Sequence, residues 1–295
     1  MAHSQKILIT GATGFLGSNL TKALLSKGYE VHVLKRTQSD LFRLKEVMSS
    51  IQTYNIGEAI LTDIFEQVKP DMVVHCATDY GRKEVDPSVV IEANLILPLR
   101  LLELCQKNGV KAFINTDTFL DKGINYYSLS KKQFKEWLAT YSSALICINM
   151  TLEHFYGPFD DRTKFVSFII EKMLARAESI DLTEGNQKRD FVFIDDVIEA
   201  FLKVIEQVGT LENGVYEFGV GTNKQIPIRE LVEMLQKITD NTTTRLNFGA
   251  IPYRKNEVME SNIDTFAIKK LGWEARHSLK DGLLHTVSLE KQIRK

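Results

Sequence analysis

Ile7-Leu8-Ile9-Thr10-Gly11-Ala12-Thr13-Gly14-Phe15-Leu16-Gly17 is a short apolar run that ends in three glycines spaced Gly-x-x-Gly-x-x-Gly. Leu16, Leu20, Ala23 and Leu24 follow at helical spacing. The pattern spells a strand, a tight turn and a helix N-terminus. The first turn of a helix carries unpaired N–H groups and the positive end of the dipole, so it attracts an anion. Glycine lets the backbone approach a pyrophosphate with no Cβ in the way. A strand before and a helix after are the context that makes a glycine trio a dinucleotide-binding fingerprint. Gly11, Thr13, Gly14, Phe15, Leu16 and Gly17 are therefore expected to meet the cofactor. The competing reading is a glycine-rich turn that only packs helix on strand.

The rest of the composition is consistent with this. The chain has 295 residues, 44% hydrophobic and 25% charged, enough for one large domain or one domain with a smaller lobe. A net charge of -1 gives no basic field for a nucleic-acid partner. Cys76, Cys105 and Cys147 lie in apolar runs without metal-ligand spacing and read as reduced core thiols, with no metal site expected. No apolar run approaches the ~18 residues of a membrane span. Met1-Ala2-His3-Ser4-Gln5-Lys6 leaves no room for a signal peptide before the first strand. The expectation is a cytoplasmic protein with no membrane contact.

Further along, residues 30–34 read as the second strand, ending in Lys35-Arg36. In NAD-binding folds an acidic residue at this strand end bonds the adenosine ribose. Two cations instead suit the 2′-phosphate of NADP(H), with NAD(H) second and a solvated basic strand end as the bland alternative. Residues 39–49 have helical periodicity, 51–54 suit a third strand, and 58–68 an amphipathic helix stopped by Pro70. Residues 71–77 form a nearly continuous apolar run, as a strand covered on both faces should. His75 inside it reads as a core histidine, and Ala77-Thr78 leaves at the carboxyl end, where cofactors bind in open parallel sheets. Residues 87–108 read as one long helix, bent at Pro98 and closed by Asn108-Gly109. Asn94 within it needs a polar partner, either a tie to the next strand or a water near the active site. Residues 111–115 are the fifth strand, with Thr116-Asp117-Thr118 at its carboxyl end. This alternation with short connections predicts an α/β fold, a doubly wound parallel sheet.

Tyr127-Ser128-Leu129-Ser130-Lys131 is Tyr-x-x-x-Lys. On a helix the two side chains share a face, so the ammonium lies beside the phenol and favours its ionised form. A tyrosine of ordinary pKa ~10 then exchanges a proton with a substrate oxygen at neutral pH. Thr116 supplies a hydroxyl to the same oxygen. Tyr126 is the rival phenol, but its partner one turn on is Ser130, which carries no charge. The alternative is a tyrosine packed beneath a surface lysine.

With these residues in hand, the chain resembles an extended short-chain dehydrogenase/reductase of the nucleotide-sugar epimerase/dehydratase family. Residues 10–17, Thr116, Tyr127 and Lys131 match its glycine motif and catalytic triad, and Asn94 matches its helix-four asparagine. Tyr156-Gly157-Pro158, the Arg189-Asp190-Phe191 segment through Val197, and Leu271-Gly272-Trp273 resemble later family motifs. Within the family the segments at 33–36, 113–118 and 126–132 look most like the CDP-abequose and CDP-paratose synthases. Those are 4-ketoreductases that make CDP-linked dideoxyhexoses for surface polysaccharide. The 4,6-dehydratases carry Thr-Asp-Glu where this chain has Thr116-Asp117-Thr118, so the acid/base pair for eliminating water is incomplete. Epimerases hold NAD tightly and usually have an acid at the second strand end. Ten residues separate Thr116 from Tyr127, fewer than is usual in the family, which implies a short loop and an open pocket.

The resemblance implies a Rossmann fold over residues 1–150 and a smaller C-terminal α/β substrate lobe over 151–295, with some segments returning to the sheet. It implies NADPH-dependent reduction of the C4 ketone of a nucleotide-diphosphate sugar, with Thr116, Tyr127 and Lys131 catalytic. Cofactor contacts are expected at Gly11, Thr13, Gly14, Phe15, Leu16, Gly17, Lys35, Arg36, Ala77, Thr78, Asn94, Tyr127 and Lys131. Thr118, Arg189 and Arg254 are expected on the substrate. Arg189 suits a diphosphate, with a structural pair to Asp190 as the alternative. Residues 161–176 read as a helix with Phe165, Phe168, Ile169 and Met173 on one face, and Asp195-Asp196 as an acidic helix cap in preference to a metal or acid/base pair. Residues 227–238 and 279–293 read as amphipathic helices. A homodimer through the helices of Asn94 and Tyr127 is implied. Two rivals stay open: an epimerase with bound NAD, and an NADP(H)-binding regulator without activity.

Overall fold

In the computed structural model, which describes residues 4–57, 60–82 and 86–293, the first strand β1 (Lys6–Thr10) runs into α1 (Phe15–Ser26) through the glycine turn. β2 (Glu30–Arg36), β3 (Ile51–Ile56), α2 (Leu61–Val68) and β4 (Met72–His75) follow. Then come α3 (Pro87–Ile91), α4 (Leu97–Lys107), β5 (Ala112–Thr118), α5 (Tyr126–Tyr141) and β6 (Ile146–Leu152). The second half holds β7 (His154–Tyr156), α6 (Phe165–Leu174), β8 (Ser179–Leu182), β9 (Lys188–Phe193), α7 (Ile194–Gln207) and β10 (Gly214–Val220). β11 (Gln225–Pro227), α8 (Ile228–Ile238), β12 (Arg245–Phe248), α9 (Phe266–Lys270) and α10 (Leu279–Ile293) complete it.

Seven strands form one parallel sheet in the order β10-β6-β5-β4-β1-β2-β3. Side chains alternate between its faces. Ile7, Ile9, Val31, Val33 and Val74 pack beneath α1 and α7. Leu8, Leu34, Val73 and Phe113 face the other way, toward α2, α4 and α5. Covering both faces is what makes the parallel strands read as unbroken apolar runs. β1 lies between β2 and β4, so the strand order reverses beside the glycine turn, where an open α/β sheet forms its crevice. The second half returns to the sheet through β10, and otherwise builds two small sheets, β11-β9-β7 and β12-β8.

Several elements differ from the sequence reading, each for a local reason. β2 continues through Arg36, and β5 continues through Thr118 because residues 115–118 all pair with β6. Residues 42–50 are a 3-10 helix in which only Leu44 is buried, too thin an apolar face for an α-helix to pack. Glu58 and Ala59, the expected start of the second helix, lie outside the described residues. The 87–108 helix is interrupted at Glu92–Ile96 by a π-turn directly before Pro98. Pro98 lacks the N–H that would bond the Asn94 carbonyl and its ring crowds that oxygen, so the helix widens there. Asn94 is carried inward to complete burial. On α6 the buried face is Val166, Ile169, Ile170 and Met173, while Phe165 and Phe168 stay partly exposed.

The acidic cap is a correction. α7 starts at Ile194 after the N-cap residue Phe193; Asp195 and Asp196 do lie in its first turn, as expected, but neither caps it with a side-chain hydrogen bond. Asp196 is buried and reaches instead to the C-terminal segment, accepting from the backbone N–H of Arg276 and His277 at 3.1 Å each, with His277 Nδ1 at 3.0 Å. The indole of Trp273 donates to the Asp196 carbonyl at 2.9 Å. Asp196→Ala leaves two part-buried amides without their acceptor and opens the space of a buried carboxylate; a fully buried group so orphaned costs about 1–3 kcal/mol. A loss of about 2–4 kcal/mol in urea unfolding is expected, and an unchanged midpoint would show that the clasp carries no stability.

Candidate active site

At the strand reversal, Gly11 adopts φ +69°, and a Cβ there would stand 2.4 Å from the Ala77 backbone nitrogen. The turn and the segment leaving β4 therefore touch backbone to backbone, which only glycine permits. A Cβ on Gly17 would meet the Gly11 carbonyl at 2.2 Å, so α1 starts directly against the turn. Gly14 is the N-cap residue, with neither a side-chain cap nor an acidic residue in the first turn. The N-terminal amides and the positive dipole end of α1 thus face the crevice with nothing of the chain's own charge against them. Thr13, Phe15 and Leu16 line the same cleft, whose volume is about 1810 Å³. Pockets for one drug-sized ligand measure roughly 300–1,000 Å³, so this cleft is large enough for a dinucleotide and a second ligand together.

Lys35 and Arg36 end β2 at the mouth of this cleft. Lys35 Nζ donates to Asn55 Oδ1 at 2.5 Å, and Arg36 is exposed. Ala77 and Thr78 lie opposite, at the end of β4. Thr78 Oγ1 and the Asp79 amide donate to Asn94 Oδ1, and Asn94 Nδ2 donates to the Asp79 carbonyl and to Ser130 Oγ. All four bonds are internal. Asn94 ties its helix to the segment after β4 and to α5, rather than to the next strand. His75 is a core histidine: Nδ1 meets Thr10 Oγ1 at 2.8 Å, and burial, then Lys131, hold the imidazole well below its ordinary value.

α5 begins with a capping box, Asn125 and Ser128 each bonding the other's backbone amide. That start sets Tyr127 and Lys131 on the face toward β5. Thr116 Oγ1 donates to the His75 carbonyl at 3.1 Å. Of the two threonines, Thr118 is the one whose side chain favours the ionised Tyr127 phenol. Burial first, and Tyr80 next, push the Tyr127 phenol above its ordinary value; the Thr118 side chain opposes them. The expected lowering by Lys131 is thus not what this cleft produces: taking the hydroxyl out of water dominates, because the charged form is the one that suffers.

Lys131 is fully buried, its Nζ has no hydrogen-bond partner, and burial brings it down to about 8. Asp117 is near, but its carboxylate is taken by Lys132 at 2.9 Å, Asn149 at 3.1 Å and the Thr118 amide at 2.7 Å. An orphaned ammonium beside a glycine cradle fits the hydroxyls of a nicotinamide ribose. It also has a stability consequence. Between about 8 and the ordinary 10.5 the unfolded chain holds a proton that the folded chain has released, so stability rises with pH across that window. Lys131→Met is expected to stabilise the protein without cofactor by the order of 3 kcal/mol at pH 7. The advantage should shrink as pH rises toward 10, in denaturation curves at both pH values; a pH-independent difference would contradict it.

Arg189 and Arg254 separate. Arg254 lines the cleft. Arg189 is buried outside its lining, with Nη2 on Glu257 at 2.6 Å and Nη1 on the Lys188 and Val258 carbonyls. Asp190 is not its partner; Thr222 and Asn223 bond that carboxylate. Several cleft residues had no sequence signal. Tyr80 packs on Tyr127 at 5.0 Å. Lys164 pairs with Asp160 at 3.1 Å and lies over the Phe155 ring at 4.3 Å. Arg43 crosses the mouth to the Phe159 carbonyl at 2.9 Å, and Arg82 reaches Asp161 and Thr163. The Tyr80, Arg43 and Arg82 contacts join residues far apart in the chain.

Comparisons with known proteins agree with this fold. A family model described as the NAD dependent epimerase/dehydratase family matches residues 7–219. A CDP-abequose synthase of Salmonella muenchen is 35% identical over 98% of this chain and 99% of its own length. The structure of a UDP-glucose 4-epimerase of Thermotoga maritima with UDP-glucose superposes with TM-score 0.87 at 27% identity, covering 99% of this chain and 100% of that one. A Thermus thermophilus UDP-glucose 4-epimerase in complex with NAD has the same fold, with TM-score 0.84 at 22% identity over 97% and 99% of the two chains.

Proposed function

The chain belongs to the NAD dependent epimerase/dehydratase family, and from that premise we propose that it is an NADPH-dependent reductase of the C4 ketone of a nucleotide-linked, CDP-linked, 4-keto-deoxyhexose. It is a nucleotide-sugar enzyme that uses a nicotinamide cofactor; the reaction, the phosphate on the cofactor and the nucleotide are the proposal. The observation that carries it is the meeting of Tyr127, Thr118 and the unpaired Lys131 beside the Gly11 turn in one cleft.

A bound reduced nicotinamide supplies the hydride that reaches C4. The chain's own residues do the rest. Tyr127 gives its proton to the developing alkoxide at the C4 oxygen, Thr118 offers a hydroxyl on the same side, and Thr116 joins them only by releasing the His75 carbonyl. Lys131 holds the nicotinamide ribose, and its charge makes the phenol a better acid once that partner is present. Lys35 and Arg36 take the 2′-phosphate. Arg254 takes the nucleotide end of the substrate, and Arg189 joins it if Glu257 gives way. The Asp117–Lys132 pair supports a reductase over a dehydratase, because the carboxylate is spent on an internal ion pair. The product belongs to surface-polysaccharide synthesis, as the CDP-abequose synthase likeness suggests. Val89, Ile91, Tyr126 and Trp137 are exposed on α3 and α5, and suit the homodimer face.

A second reading, an epimerase with tightly held NAD, is favoured by the likeness to the Thermotoga maritima enzyme. Two measurements separate them: the nicotinamide content of the purified protein, and NADPH oxidation against CDP-, dTDP- and GDP-linked 4-ketosugars. The reductase reading expects little retained NAD and oxidation greatest with the CDP-linked ketone. Retained NAD without NADPH consumption would overturn it.

A further inference from the structure

Tyr80 and Arg82 line the cleft without a task in the reaction just described. The chain that leaves β4 is fixed at its base before it reaches them. Asn94 holds Asp79 from both sides, accepting from its amide at 2.8 Å and donating to its carbonyl at 2.8 Å. The Asp79 carboxylate then accepts the Gly81 amide at 2.8 Å, an Asx turn that Gly81 completes with φ +61°. The turn sets the Tyr80 ring 5.0 Å from the Tyr127 ring and brings the Arg82 guanidinium over Tyr80 at 4.9 Å. One aromatic ring thus meets both a cation and Tyr127. The far end of Arg82 is latched. Its Nη1 donates to Thr163 Oγ1 and lies 3.8 Å from Asp161 Oδ2. That turn is itself held: the Thr163 amide donates to Asp161 Oδ1 at 2.8 Å. Just before it, Phe159 is pinned by Arg43 at its carbonyl and by Glu290 at its amide. A single guanidinium therefore joins the segment after β4 to the segment after the Tyr156-Gly157-Pro158 turn.

The chemistry gives this cation a use. A tyrosine that passes its proton from Oη to the C4 oxygen is left as a phenolate. In a place poor in water that charge needs a cation near it. Burial first, then Tyr80 and Asp117, hold the phenol up; the Thr118 side chain and the Arg82 charge pull the other way. Lys131, one helical turn along, is brought down to about 8 by its own burial, so its charge falls away in mildly alkaline solution. A guanidinium keeps its charge throughout. We propose that Arg82 is a positioning residue for the Tyr127 phenolate, acting through Tyr80 and held in place by Asp161 and Thr163. The proposal rests on Tyr127 being the proton donor of the reductase reading.

Steady-state reduction of a CDP-linked 4-keto-deoxyhexose by the full-length protein tests it. Arg82→Met keeps much of the stem and removes the charge from a side chain that is 42% exposed, so the fold is expected to stay intact. Its kcat should fall about tenfold, with KM for NADPH and for the sugar nucleotide held to about twofold, and Arg82→Lys should recover most of the loss. In a Tyr127→Phe background, where no phenolate forms, the same Arg82→Met change should alter the residual rate by less than about twofold. Unchanged kcat in Arg82→Met overturns the proposal alone. So does a raised KM with kcat kept, the mark of a substrate contact. An equal loss with and without the Tyr127 hydroxyl also overturns it, as the mark of a structural role. A wild-type protein that oxidises no NADPH with CDP-, dTDP- or GDP-linked 4-ketosugars, or a fully active Tyr127→Phe, overturns both this proposal and the reading beneath it.

Discussion

Tyr127→Phe is expected to lower kcat for ketone reduction by roughly 10²–10⁴-fold, the contribution typical of a positioned general acid. NADPH binding should be kept, because the proposal assigns the pyrophosphate to the Gly11 turn and the 2′-phosphate to Lys35 and Arg36, not to the phenol. The phenol's environment sharpens the expectation. Burial raises its pKa, so below neutral pH the tyrosine holds its proton and is ready to give it. What it lacks on its own is acid strength. The Thr118 side chain acts in that direction, and in the proposed complex a ribose would hold the Lys131 ammonium where it adds to the effect. Thr118→Val should thus slow turnover by a smaller factor than Tyr127→Phe and move the pH profile in the alkaline direction. Full turnover in Tyr127→Phe would remove the assignment.

The second large effect concerns the cofactor phosphate. Removing both Lys35 and Arg36 as alanines is expected to raise KM for NADPH by about a hundredfold or more and to leave NADH almost unaffected. Each charge-assisted bond to a phosphate is worth about 1.5–3 kcal/mol, and each 1.4 kcal/mol is tenfold. The two cations are not equal. Lys35 already donates to Asn55, while Arg36 is exposed at the strand end with a planar fork suited to phosphate. Arg36→Ala alone should therefore account for most of the loss. Steady-state kinetics with both cofactors checks this, and a wild-type protein that uses NADH better than NADPH would contradict it.

How legible the molecule was depends on how far apart the cooperating residues lie. The Gly11 turn, the strands on either side and the Tyr127–Lys131 pair are local, and the two periodicities expose them. The strand alternation then leaves little choice of sheet. The π-turn at Glu92–Ile96 was half visible: Pro98 announced a bend, but only packing decides that the widened turn carries Asn94 inward. Asp196 resembled a cap because capping is the commonest use of an acid at a helix start. Its real partners, Arg276 and His277, lie some eighty residues on. Arg189 likewise finds Glu257, not the adjacent Asp190. Lys131's effect on Tyr127 was read from spacing alone, which counts the charge and omits the desolvation.

Reaction with NADPH deuterated on the transferred position of the nicotinamide, followed by NMR of the sugar, tests the central claim most directly. The account predicts one deuterium per product, bound at C4, with one NADPH oxidised for each alcohol formed. Interconversion of sugar nucleotides with no deuterium at C4 and no net oxidation of NADPH would contradict it.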